Sequence, residues 1–306
     1  MVQVSKAVAK IIAPVLGGVL VNVIGLKGVL SIDFATFLVA VASLLIVRLP
    51  SISRTEKPKY TSKKVFLWQE MVSGWRYIRN RPGLVKLLSF IAISYFTMGV
   101  LEVVFWPFIL NFGSSEELGR VLSIGGCGML VGSVMISVWG GPSRKIDAIV
   151  GCIMLQGLFV MLGGLRNSVI WAAVAIFGYL FAQPIIVSCN QAIWQSKVPQ
   201  ALQGRVFALQ QMLERSLAII AYLTSGPLVD QVLTPLMAED NFISRLAQKL
   251  IRGEEPPQAI ALILILVGTI NLGAAMIAYG QPSLRRVEEE VPDAAENKLG
   301  LAQDFI

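Results

Sequence analysis

The sequence predicts an all-α, polytopic bundle of transmembrane helices, and three observations carry that prediction. Apolar residues come in runs of about twenty, the length at which a helix rising 1.5 Å per residue spans the roughly 30 Å hydrocarbon core of a bilayer. The composition is 55% hydrophobic and only 15% charged over 306 residues, with a mean hydropathy of +0.69. The charges that exist sit mostly between the apolar runs. A net charge of +7 distributed in this way points to membrane surfaces as the partner and not to nucleic acid.

Eight spans are expected, over residues 8–24, 29–48, 84–110, 118–140, 147–165, 169–193, 207–232 and 259–280. The first follows Lys6 and Lys10 as a signal peptide would, but no small-residue cleavage site precedes a polar mature domain, so it reads as a retained span. Eight crossings return both termini to one side. With that count the cations at and beyond the span ends, from Lys6 and Lys10 through Arg144, Lys145, Lys197 and Arg205 to Arg285, Arg286 and Lys298, gather on a single side. Only Lys27, Arg120, Arg166, Arg245, Lys249 and Arg252 fall on the other. The basic side is cytoplasmic by the positive-inside rule, which places the chain in the plasma (inner) membrane with both termini in the cytoplasm.

The spans divide the chain into a helix pair over 1–48, a basic cytoplasmic linker over 49–83, six spans within 84–280 and an acidic tail over 281–306. In the linker, Val65, Trp68, Val72 and Trp75 recur at helical spacing among Lys63, Lys64, Arg76 and Arg79. Such a helix either lies in the membrane interface with its aromatics inward or packs on the protein. The external connection 234–258 carries a shorter amphipathic piece (Phe242, Ile243, Leu246, Leu250). The tail after Gln281 turns acidic, with Glu288, Glu289, Glu290, Asp293 and Glu296, and is expected to be disordered.

Polar side chains inside spans are the candidates for function, since each charge costs about 2.5–3.5 kcal/mol on insertion scales. Glu102 stands near the middle of the third span, beside Phe105, Trp106 and Pro107. It is either a proton-coupled carboxylate or a group bonded to a neighbouring helix. Gln210, Gln211, Glu214 and Arg215 form one stripe on the seventh span, because residues four apart share a helix face. In lipid that stripe must face protein or water, as a structural ion pair or as a cavity lining. Asp33 lies nearer its helix end, where it either anchors the helix or is stabilised by the dipole of the helix N-terminus. Gln183-Pro184 and Asn190-Gln191 put amides and a kink in the sixth span, where they read as interhelical glue. Gly128-x3-Gly132 reads as a packing face.

Several chemistries lack their residues. The chain has no histidine, which removes His-based triads, His-ligated zinc and the usual proton switch near neutral pH. Cys127, Cys152 and Cys189 all lie in apolar runs and read as small buried hydrophobes, neither disulfide-bonded nor metal-binding. There is no Walker sequence, so ATP hydrolysis by this chain is excluded, and no cofactor is expected. No paired intramembrane aspartates suggest an intramembrane protease.

Several local motifs go further. Ala13-Pro14-Val15-Leu16-Gly17-Gly18 joins a proline kink to a small-residue face made by Ala9, Ala13 and Gly17. It resembles the end of the fifth-helix antiporter motif of major facilitator superfamily exporters, with alanines where two glycines are usual. In the same order along the chain, Ile32-Asp33-Phe34-Ala35-Thr36-Phe37 resembles the start of the family's sixth helix. Gly74-Trp75-Arg76-Tyr77-Ile78 with Arg81-Pro82 resembles the loop before its seventh. Val198-Pro199 with Gln203-Gly204-Arg205-Val206 is similar to the loop between helices ten and eleven, and Gly226-Pro227-Leu228 with Asp230 to the eleventh helix.

The resemblance is to exporters of the enterobactin and macrolide-efflux type, built as two six-helix bundles joined by a long cytoplasmic loop. It implies a secondary exporter of small amphipathic molecules, driven by proton exchange, held in the lipid bilayer. On that alignment the first four helices and their gating loop have no counterpart here, and Gly140–Lys145 is basic but lacks the Asp of the repeated motif. The expectation is therefore an incomplete form that does not transport alone. A non-transporting remnant, or a subunit completed by a separate four-helix chain or a second copy, is the alternative.

Overall fold

The computed structural model describes residues 27–43, 63–233, 235 and 258–290, and among them every regular element is helical. Helix α1 covers 27–43. It is followed by α2 (Lys63–Arg79), α3 (Pro82–Leu110), α4 (Ser115–Trp139), α5 (Lys145–Gly164), α6 (Val169–Lys197) and α7 (Gln200–Pro227), which runs on as π-helical turns over Leu228–Leu233. Helix α8 (Gln258–Gly280) and the single-turn α9 (Pro282–Arg285) and α10 (Val287–Glu290) complete the described chain. Among the described residues five helices are long and apolar enough to cross a membrane: α3, α4, α5, α6 and the Ala259–Gly280 part of α8. Helix α7 has 28 residues, ample length, and its polar stripe is what keeps it out of that group. The expected spans from 84–110 to 259–280 thus each correspond to a helix. The span 8–24, with Pro14, Gly17 and Gly18, and most of the connection 234–258 lie outside the described residues. The span 29–48 overlaps α1, on which Asp33 is exposed.

Local chemistry sets the helix ends. Pro82 opens α3, where its missing N–H costs nothing. Ser114 and Glu117 form a capping box on α4: the Glu117 N–H donates to Ser114 Oγ at 3.2 Å, and the Ser114 N–H donates to Glu117 Oε2 at 2.7 Å. At the other end Gly140 takes φ 73°, the left-handed conformation that closes a helix and that a side chain would strain. Pro142 then follows the stop. Pro184 sits inside α6, and Pro227 marks the point where α7 loosens into π-turns.

Helices pack closest where glycine removes the side chain. Within lipid, association cannot rely on expelling water, so backbone approach and van der Waals contact do the work. Gly128 and Gly132 press α4 onto α6 as their spacing predicts; a Cβ on Gly132 would lie 2.1 Å from the Phe181 carbonyl oxygen, and one on Gly128 2.4 Å from that of Phe177. Gly157 of α5 meets the Gly268 carbonyl of α8, and Gly99 of α3 meets the Ala218 carbonyl of α7, with would-be Cβ distances of 2.8 and 2.9 Å. Two apolar clusters fill the bundle between these seams. One joins Ile78, Leu84, Leu87, Ile146, Ile149 and Trp194, and the other Val104, Phe108, Val121, Ala172 and Leu264. Trp106, Val138, Ile170, Leu223 and Ile277 remain on the outer surface, as a bilayer requires.

Of the two expected arrangements, the linker helix shows packing on the protein. Its inner face packs on α7, with Ile78 buried and Gly74 against the Arg205 carbonyl. The Tyr77 hydroxyl donates to the Lys197 carbonyl at 2.7 Å. Burial pushes the Tyr77 phenol above its ordinary range, the Arg81 guanidinium drawing it partly back, so it stays a donor near neutral pH. Val72 and Trp75 face outward; the side chains of Val65 and Trp68 lie outside those described.

The tail departs from expectation. Its first part is not disordered: residues 282–290 fold against the end of the bundle that carries Lys86, Lys145 and Lys197. Val287 is buried over Gly83, and Leu284 is buried beside it. The reason is charge complementarity with helix ends. Glu288 Oε2 accepts the Ile146 N–H at 3.1 Å, in the first turn of α5, and Oε1 lies 3.4 Å from Lys145 Nζ. Lys197 Nζ donates to the Glu288 carbonyl, Arg144 pairs with Glu289 at 3.1 Å, and Lys86 Nζ donates to Ser283 Oγ at 3.1 Å. These contacts gather the cations of the basic side at one end of the bundle, whereas Arg120 and Arg166 lie at the other. Residues 291–306 lie outside the described chain.

Candidate functional site: a polar cavity within the bundle

Helices α3, α6 and α7 enclose a cavity of about 580 Å³, to which α4 contributes Met129. All four polar residues of the α7 stripe line it: Gln210, Gln211, Glu214 and Arg215. Three amides of α6, Gln183, Asn190 and Gln191, do so too, opposite Ser94, Tyr95 and Met98 of α3. Ile91, Ile186, Val187, Trp194 and Phe207 supply the apolar remainder. The site is thus one carboxylate, one guanidinium and several amides on a largely apolar and aromatic wall.

Glu214 is the most constrained member, with 3% of its surface exposed. Its Oε1 accepts from Gln210 Nε2 at 2.9 Å and from Asn190 Nδ2 at 3.4 Å. Asn190 is oriented in turn by Trp194, whose Nε1 donates to Asn190 Oδ1 at 3.1 Å. Among the described residues no ion pair within 4 Å joins Glu214 to Arg215, so amides hold this carboxylate. Its other oxygen takes no hydrogen bond among the described residues. That oxygen is therefore the point at which the carboxylate can meet a hydrogen-bond donor or a cation.

A second amide pair lies deeper. Gln156 of α5 does not reach the cavity, but its Nε2 donates to the Tyr179 carbonyl at 3.1 Å and to Gln183 Oε1 at 2.8 Å. Gln183 Nε2 in turn approaches Met98 Sδ at 3.7 Å.

Glu102 stands apart. It lies one turn beyond Met98 on the same stripe of α3, outside the cavity lining, on an exposed face where the Tyr222 hydroxyl of α7 donates to it. Of the motif residues, Gly204 and Arg205 are exposed near the start of α7, and Gly226 and Pro227 stand at its end. Asp230 belongs to the π-turns, its side chain outside those described. Among the described residues no group of three or more His, Cys, Asp or Glu could hold a metal ion.

Sequence reasoning did not identify Ser94, Tyr95 and Met98, because serine, tyrosine and methionine are ordinary in spans. Gln156 had a signal, a lone amide in an apolar helix. Gln183 and Asn190 do bond across helices as glue would, and they line the cavity as well.

A family model described as Major Facilitator Superfamily matches residues 1–222. Over 213 residues the chain is 23% identical to Macrolide efflux protein A of Enterococcus faecalis, covering 68% of this chain and 64% of that protein. It is 22% identical over 213 residues to Macrolide efflux protein A of Streptococcus pyogenes, covering 68% and 51%. With the Multidrug efflux pump Tap of Mycolicibacterium fortuitum it shares 23% identity over 224 residues, 72% of this chain and 53% of the pump. The chain therefore spans between about half and two-thirds of the length of these relatives. No solved structure matches it.

Proposed function

The chain belongs to the Major Facilitator Superfamily, and we propose that it serves in secondary export of amphipathic small molecules, with proton exchange at Glu214. One observation carries the reading: a buried carboxylate, held by amides on one oxygen only, faces an apolar and aromatic cavity inside a membrane-spanning bundle. The lining suits a ligand with a large apolar body and a few oxygens, and Glu214, held by amides and not by Arg215, offers a place for a positive charge. Macrolides, which the names of two relatives specify, have that character. Proton and cation compete for the same carboxylate, so taking up one releases the other, which is the minimal requirement of antiport.

Ethidium, a permanent cation, is a direct probe. If the chain exports by itself, against the expectation of an incomplete form, ethidium accumulation falls in efflux-deficient cells producing it and a protonophore restores it. Purified chain binds it saturably, and affinity rises with pH, because loss of the competing proton favours the cation. Unchanged accumulation together with no saturable binding would overturn the proposal.

Binding without export would instead favour a second reading, a substrate-binding bundle that works with further membrane helices. The exposed Glu102–Tyr222 pair on α3 and α7 supports it, since a carboxylate there belongs against protein or water and not acyl chains.

The proposed orientation places the Arg144, Lys145 and Lys197 end in the cytoplasm of a plasma membrane. In a cysteine-free background, Ser143→Cys reacts with an impermeant thiol reagent only after permeabilisation, whereas Ser115→Cys reacts in intact cells. The opposite pattern reverses the topology.

A further inference from the structure

Gln156 is fully buried in α5 and carries a cost, because its Oε1 has no hydrogen-bond partner. A leucine or methionine there would avoid that cost. What the glutamine contributes is the two hydrogen bonds it donates, and these determine a chain of amide orientations. The Tyr179 carbonyl can only accept, so it draws the Gln156 NH2 and not its oxygen. The second N–H of that group then points at Gln183, which must answer with Oε1, at 2.8 Å. The opposite orientation of Gln156 would set oxygen against oxygen at Tyr179 and lose one bond of the two. Gln183 is left with its NH2 as the edge available to the cavity, beside Met98, whose thioether is only a weak acceptor. Pro184 follows directly, so the same buried amide pins both the α6 backbone one turn before the kink and the side chain at it.

We infer that Gln156 is a positioning residue for specificity. It locks the Gln183 amide with its NH2 turned into the cavity, so that this point selects ligands bearing a carbonyl or ether oxygen over ligands bearing only N–H donors. The inference rests on the cavity being the substrate site, as proposed above.

The test compares two probes on the purified full chain. Erythromycin carries lactone and ketone oxygens, while ethidium has aromatic N–H donors and no oxygen. Gln156→Met frees the Gln183 amide to rotate and removes no group from the cavity. Erythromycin should bind about 3- to 10-fold more weakly, the worth of one hydrogen bond, with ethidium within about 2-fold. The melting temperature should hold or rise, which a purely structural role for Gln156 would not give. Gln183→Met should show the same loss, and the double substitution no further loss, since both act through one donor. Should Q156M fail to fold, Q156L carries the comparison alone. Undiminished discrimination in whichever variant folds overturns the inference and leaves the proposed function standing, as does binding of ethidium but not erythromycin by the unmodified chain. Failure of the unmodified chain to bind either probe overturns the proposed function, and the inference with it.

Discussion

Glu214→Gln is expected to weaken ethidium binding by on the order of 100-fold and to abolish its pH dependence. The substitution keeps the shape of the side chain and an oxygen for the Gln210 and Asn190 amides, so the bundle should fold and melt normally. It removes the negative charge. For a carboxylate this buried, taking one partner from a charge contact costs about 2–5 kcal/mol, and the group that exchanges protons disappears with it. Equilibrium binding of ethidium between pH 5.5 and 8.5 reads both effects. Glu102→Gln is the matching control: Glu102 sits outside the cavity lining, so its substitution should change ethidium binding by less than about 2-fold. If it also stops gradient-driven export, coupling involves the Tyr222 contact as well as Glu214. Intact pH-dependent binding in E214Q would remove this carboxylate from the site.

The second large effect is expected at the α4–α6 seam. Gly132→Ala or Gly128→Ala places a methyl group 2.1 or 2.4 Å from a backbone oxygen of α6, and backbone cannot swing aside as a side-chain tip can. Helix α4 must move outward, at a cost toward the upper end of the 1–3 kcal/mol typical of overpacking. The shift carries Met129 away from the cavity it lines. Gly119→Ala on the same helix and Gly151→Ala on α5 are the controls, since nothing lies within 4 Å of their would-be Cβ atoms. They should be neutral or slightly stabilising, because alanine favours the helix by about 0.8–1.0 kcal/mol over glycine. Thermal unfolding of the four variants in one detergent decides it. Equal melting temperatures in all four would mean that the seam is looser than its geometry shows.

How much of the site was legible follows from what kind of signal each residue left. The α7 stripe was readable because Gln210, Gln211, Glu214 and Arg215 are polar residues at helical spacing within a span, and such a face must turn inward. Its partners across the cavity were not readable as partners, since Asn190 and Gln183 are equally at home as glue between helices. Glu102 shows the limit most clearly. It is as conspicuous in sequence as Glu214, yet it stands one turn beyond the cavity, on an exposed face. The tail misled for a related reason. Its acidic composition matches that of disordered segments, while its order comes from Lys145, Lys197 and the first turn of α5, far away in sequence.

Whether a segment of about twenty residues partitions into a bilayer depends on its own composition. Orientation depends on cations counted loop by loop, and close packing needs small residues four apart on one helix. Those are local quantities, so the sequence by itself determined the all-helical fold, the positions of the described spanning helices, the gathering of cations at one end and the glycine face of α4. The rotation of α3, α6 and α7 about their axes, and the depth to which α4 settles onto α6, come from many small contacts summed over neighbouring helices. Only the tertiary structure therefore decided which carboxylate is enclosed, which amides hold it and which way the Gln183 amide points.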